Sequence, residues 1–130
     1  MTLEKNIILN KNTSVEFVED YMLYLKYSDN VTIEIADLIE VYDSIKKISN
    51  GESRMVLVEL FQHTSFSTAA REFGQVNELS KEPVAIVIKS LGQRIQFNFY
   101  AKFRRQKNPI ASFKDYESAY NWLVKQKNNK

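Results

Sequence analysis

Residues 54–73, RMVLVELFQHTSFSTAAREF, decide the fold class of this chain. Met55 to Leu60 is an aliphatic run of buried-strand length, interrupted by one acid at Glu59. Past Phe61 the run empties into a turn carrying four hydroxyls, Thr64, Ser65, Ser67 and Thr68, and helical spacing begins near Ser67. Strand, turn and helix in that order are the unit of an α/β sheet. In open sheets of this kind ligands and modifications gather where a strand's carboxyl end meets the next helix. The hydroxyl turn is therefore the first place to look for a site.

Working upstream, Val15 to Phe17 and Met22 to Tyr27 are short runs rich in β-branched and aromatic residues, and Glu19-Asp20 separates them as in an antiparallel hairpin. Ser28-Asp29-Asn30 reads as a turn, and Val31 to Ile35 alternates with period two. From Asp37, which can cap a helix, the stripe Leu38, Val41, Ile45 and Ile48 takes over, and Asn50-Gly51 stops it.

Downstream, Ala69, Phe73 and Val76 suggest one face of a second helix, which Pro83 ends at the latest. Val84 to Ile88 has no polar position, as expected of a strand covered on both faces. A third helix runs from Ser90-Leu91 to about Phe103 or Arg105, and Ile110 to Phe113 is a last strand. A fourth helix begins near Asp115, with Tyr116, Ala119, Tyr120 and Leu123 on one face. The expected architecture is a single α/β domain over 15–127. A leading hairpin precedes alternating strands and helices, giving a mixed four- to five-stranded sheet covered by about four helices. Residues 1–14 read as an N-terminal extension and 128–130 as a frayed C-terminus.

Composition narrows the function classes. The chain's 130 residues are enough for one sizeable core, and 44% hydrophobic with 26% charged residues argues against disorder. The absence of cysteine removes disulfides, thiol nucleophiles and cysteine-ligated metals. A net charge of +2 makes no demand for nucleic acid. No apolar run reaches the roughly 18 residues of a membrane span, and MTLEKNIILNKN lacks a signal-peptide pattern, so a cytoplasmic protein is expected.

The candidate sites each have a structural alternative. Ser65, Ser67 or Thr68 could carry phosphate at a helix N-terminus, or Ser67 could simply be the cap. Glu59 could serve as acid, base or ligand, or could pair with Arg54, Arg71 or a backbone donor. His63 is the chain's one histidine; strand geometry does not by default place Ser65 and Glu59 in a relay with it, and alone it is too little for a zinc site. In the third helix Ile95, Phe99 and Phe103 follow core spacing, which leaves Phe97 and Tyr100 to point elsewhere beside Lys102, Arg104, Arg105 and Lys107. An aromatic and basic rim at Phe97, Tyr100, Arg104 and Arg105 suits a protein interface or an anionic lipid surface.

With IADLIEVYDSIKKI, MVLVEL, AIVIKS, LGQRIQFNFYAKF and IASFKDYESAYNWL in hand, the chain resembles STAS-type domains, the fold of sulphate-transporter and anti-sigma-factor-antagonist modules. It is most similar to small stand-alone bacterial STAS-like proteins. The resemblance spans about Val15 to Gln126. In anti-sigma antagonists a kinase phosphorylates a Ser or Thr in an Asp-Ser-Ser/Thr-Gly-type motif at this helix start. Here HTSFSTAAREFG keeps hydroxyls without that Asp and Gly. The resemblance implies a non-enzymatic interaction or regulatory module with a protein partner, a homodimer among the options, and no cofactor or metal. The alternative it implies is a small-ligand or lipid-binding domain related to CRAL-TRIO folds, with peripheral lipid contact.

Overall fold

Strands of period two and helices of period 3.6 bury one face each, so they assort into layers. In the computed structural model, which describes residues 7–129, the chain opens with β1 (Ile7–Leu9), β2 (Thr13–Glu19), β3 (Met22–Tyr27), β4 (Val31–Ile33) and α1 (Ile35–Ile48). It continues through β5 (Met55–Glu59), β6 (Thr64–Phe66), α2 (Thr68–Val76), β7 (Val84–Val87), α3 (Leu91–Phe103), β8 (Ile110–Phe113) and α4 (Tyr116–Asn128). Among the described residues the strands make a six-stranded sheet, ordered β1-β2-β3-β5-β7-β8, and a separate β4-β6 pair. β1, β2 and β3 are antiparallel neighbours, whereas β3, β5, β7 and β8 run parallel.

The mixed α/β architecture agrees with the sequence, but the sheet is wider than expected. Part of the supposed N-terminal extension supplies the difference, because Ile7–Leu9 pair with Ser14–Glu16 as the edge strand. Residues 1–6 lie outside the described residues. At the other end α4 continues through Asn128, and Lys130, expected to fray, also lies outside the described residues.

β5 and β7 form the sheet's centre, and their side chains alternate between two cores. Val56, Val58, Val84 and Ile86 pack toward α1 and α2. Leu57, Ala85 and Val87 pack toward Ala119 and Leu123 of α4. This two-sided burial is why Val84–Val87 tolerates no polar residue.

Three local corrections have clear causes. α1 starts before the expected Asp37 cap, because Glu34 and Asp37 form a reciprocal capping box in which the Asp37 carboxylate accepts the Glu34 N–H at 2.9 Å. The hydroxyl segment is partly strand, since Thr64–Phe66 pairs in parallel with Val31–Ile33 outside the main sheet. In α2, Ala70 rather than Ala69 is buried and Val76 is exposed, while Phe73 packs on the core as expected. Asn50 and Gly51 close α1 in left-handed backbone at φ 55° and 79°, as their identities suggest.

Candidate functional site

The rotational phase of α3 organises the site, and a buried glutamine sets it. Ser90 caps the helix by accepting the Gln93 N–H at 3.2 Å. The Gln93 side chain is buried. Its Nε2 donates to Phe61 O at 2.7 Å and Thr64 O at 2.9 Å, and its Oε1 accepts the Lys89 N–H at 2.7 Å. With Gln93 facing inward, the residues four, seven and eleven positions later, Phe97, Tyr100 and Arg104, must also face inward. Leu91, Ile95, Phe99 and Phe103 then face solvent. This reverses the expected assignment, in which Ile95, Phe99 and Phe103 were the core stripe and Phe97, Tyr100 and Arg104 part of an outer rim. Of the four candidate interface residues, Arg105 alone is exposed, with its N–H donating to Gln75 O of α2 at 3.1 Å.

Beneath that inner face lies a cavity of about 160 Å³. Val58, Leu60, Val84, Ile86 and Ile88 form its floor, with Phe97 and Tyr100 above and Tyr42, Ala70 and Leu79 at the sides. At one end the lining becomes polar, with Arg104, Gln106 and Asn108. The Arg104 guanidinium donates to Asn108 Oδ1 at 3.0 Å and also to the Asn108 carbonyl. Asn108 in turn donates to Glu82 O at 2.6 Å. Gln106 differs: both its Nε2 and its Oε1 are shut off from solvent and have no hydrogen-bond partner among the described residues.

Burial raises the Tyr100 phenol, while Arg104 beside it pulls the other way. Burial likewise raises Tyr27 and Tyr42, so these groups line the cavity as neutral phenols. Tyr42 donates its hydroxyl to Asn77 O at 2.8 Å. An apolar enclosure with a few converging polar groups is the usual form of a small-molecule site. Apolar cavities of about this size can hold a benzene-sized guest.

The four hydroxyls stand outside the cavity, although Phe66, Ala70 and Arg71 of the same segment line it. Thr64 is buried, accepting the Phe61 N–H at 3.0 Å and donating to Ser28 O at 2.8 Å. Ser67 is the α2 cap, accepting the Ala70 N–H at 3.1 Å. Ser65 and Thr68 are exposed; Ser65 Oγ meets Thr32 Oγ1 at 3.1 Å and Thr68 Oγ1 accepts from Arg71 at 3.2 Å. His63 is exposed too, and its backbone N–H donates to Asp29 Oδ1 at 2.7 Å. Ser67→Ala should lower stability by about 1 kcal/mol, the usual cost of a lost cap. Urea denaturation would read it, and an unchanged midpoint would show that the cap bond contributes nothing.

Glu59 faces the opposite side of the sheet, toward α4. It accepts the Tyr24 hydroxyl, and Lys89 Nζ lies 3.7 Å from its other oxygen. Tyr24 packs edge-on against Tyr116 with ring centres 5.2 Å apart. Burial and the bond to Glu59 both push the Tyr24 phenol up. Neither expected arginine is its partner. Arg54 pairs with Glu52 at 3.3 Å, and Arg71 donates to Phe66 O at 2.8 Å. Glu59 is thus tied to a strand-end cluster away from the cavity. Gln93 and Gln106 escaped the sequence reading because a lone glutamine carries no pattern that announces burial.

Comparison with known proteins places this geometry in a family and a fold. The family model of a domain of unknown function, DUF7793, matches residues 16–127. The structure is similar to the crystal structure of an uncharacterized protein from the DUF3478 family, with a SpoIIAA-like fold, from Shewanella loihica PV-4. That likeness covers 91% of this chain and 94% of the other, at 17% identity and a TM-score of 0.59. At that identity it establishes the fold, which is STAS-like as the sequence suggested. No curated protein sequence matches the chain.

Proposed function

We propose that this chain, which belongs to the DUF7793 family and has a STAS-like fold, is a non-enzymatic binding module. Its ligand is a small amphipathic molecule held between α3 and the sheet. The observation that carries the reading is the apolar cavity of about 160 Å³ whose polar end presents the unpartnered amide of Gln106 beside Arg104. A buried donor left unused costs free energy that a ligand head group would recover. An aromatic or short acyl body with a carboxylate head fits the apolar lining and accepts from that donor. Its carboxylate would accept from Gln106 Nε2 and lie against the Arg104 charge, and its body would cover Ile86 and Val58. Because Phe97 and Tyr100 roof the space, occupancy would bear directly on the position of α3. This gives the module a regulatory output without a catalytic step.

Benzoate is a suitable probe, followed by amide-resolved NMR alongside native mass spectrometry of freshly purified protein. Saturable shifts at Gly74, Tyr100 and Gln106 are expected. Ile86→Trp, which fills the floor, should weaken binding about ten-fold or more while the protein stays folded. A clean apo mass together with no saturable shift would rule the reading out.

A further inference from the structure

The outer face of α3 is used by nothing described above, although it combines two unusual properties. Leu91, Ile95, Phe99 and Phe103 are 72%, 60%, 58% and 53% exposed, and they recur at every fourth residue. On a helix this makes one ridge, about 20 Å long at 1.5 Å per residue. The Phe99 and Phe103 rings pack tilted at 45° with centres 4.7 Å apart, and Lys102 Nζ sits 5.7 Å from the centre of the Phe103 ring. Val76, also exposed, ends α2 next to Gln75, the residue bonded to Arg105.

The second property is charge. From Lys89 to Lys114 the chain has seven basic residues and no acid. The whole chain carries +2, so everything outside this segment sums to −5. Arg94, Lys102, Arg105, Lys107 and Lys114 in this segment are exposed.

We infer that α3 docks this protein onto an anionic lipid bilayer, lying flat with Leu91, Ile95, Phe99 and Phe103 between the head groups. Apolar residues in a ridge with basic residues beside it are the pattern of an interfacial helix. The ridge offers four exposed apolar side chains in a row, whereas the centre of a protein interface seats its anchors in well-packed pockets. A second copy is disfavoured because a two-fold interface would set this basic surface against itself. A bilayer with acidic head groups meets both the charge and the apolar ridge at once. Lys102 and Arg94 suit the arrangement, since their alkyl stems can lie along the ridge while the charged ends reach phosphate. The inference is independent of the cavity ligand, so the two can fail separately.

Co-sedimentation of the full chain with two sets of vesicles tests it: phosphatidylcholine alone, and phosphatidylcholine mixed with phosphatidylglycerol. Binding is expected to the mixed vesicles only, and to weaken as salt is raised. The double variant Phe99→Glu with Phe103→Glu should lose binding while keeping its melting temperature, because both side chains are exposed. Lys102→Ala should lower partitioning about five-fold, the effect of one basic residue near an anionic surface. Leu9→Ala, which removes an exposed apolar side chain on the edge strand β1, should bind as the parent does. No binding to mixed vesicles at low salt would overturn the inference, as would equal binding by the double variant. So would a dimer in sedimentation velocity that the double variant dissociates, because the ridge would then be covered by a second copy.

Discussion

Gln93→Ala should lower the unfolding free energy by on the order of 3 kcal/mol, more than its place on a surface helix suggests. The side chain satisfies the carbonyls of Phe61 and Thr64 and the N–H of Lys89. Deleting it takes that partner from the Lys89 N–H and the Thr64 carbonyl, while Phe61 O keeps the Thr64 N–H at 3.1 Å, and each buried unsatisfied group costs about 1–3 kcal/mol before water compensates. The better helix propensity of alanine offsets only a few tenths of a kcal/mol. Urea denaturation gives the size of the loss. A decrease below about 0.5 kcal/mol would mean that the three bonds do not hold α3.

Gln93→Glu adds a pH test of the same contacts. The introduced carboxyl would face two carbonyl oxygens in a buried site, which raises its pKa in the folded state. A raised folded pKa means that the variant's stability relative to the parent improves as pH falls through that pKa, and worsens as pH rises. A relative stability that is flat with pH would place residue 93 in water instead.

The other large effect is expected at Leu57→Ala. Leu57 is fully buried in β5 against the α4 side of the sheet, among Ala85, Val87, Ala119 and Leu123. Its neighbours sit on a sheet strand and a capped helix, and neither can collapse far into the space left behind. Removing it should cost about 2–5 kcal/mol, the range for buried leucine truncation. Against the roughly 5–15 kcal/mol of an ordinary domain that is a large fraction. A shifted urea midpoint with an unchanged slope would report it cleanly. Leu9→Ala, on an exposed edge-strand position, should stay within about 0.5 kcal/mol of the parent. Equal losses at the two sites would mean that β5 is not the centre of the core.

These sites also mark where the sequence was legible. The β5 run and the apolar β7 run read correctly because continuous aliphatic residues of strand length have few other uses in a chain with helices on either side. The cap at Ser67 and the start of α4 near Asp115 read correctly because a short polar side chain before an apolar period marks a helix start. β1 was missed because Ile7-Ile8-Leu9 shows no alternation, and β6 because its Thr64 and Ser65 read as part of a turn. The inversion of α3 has a different origin. The helix has apolar residues on both faces: Leu91, Ile95, Phe99 and Phe103 on one, Phe97 and Tyr100 on the other. Periodicity finds both stripes and ranks the longer one as core.

The amino-acid sequence by itself determined the α/β class, the order of the main elements and the two-sided burial of the central strands. Those properties follow from local periods and from the backbone limits of Asn, Gly and Pro. Only the tertiary structure decided which face of α3 meets the sheet. Gln93 must reach carbonyls more than 25 residues away in sequence, at Phe61 and Thr64, and three hydrogen bonds outweigh the preference for burying the longer apolar stripe. That choice puts Phe97, Tyr100 and Arg104 around the cavity and leaves the ridge in solvent. Such long-range polar contacts leave no local signal in the chain.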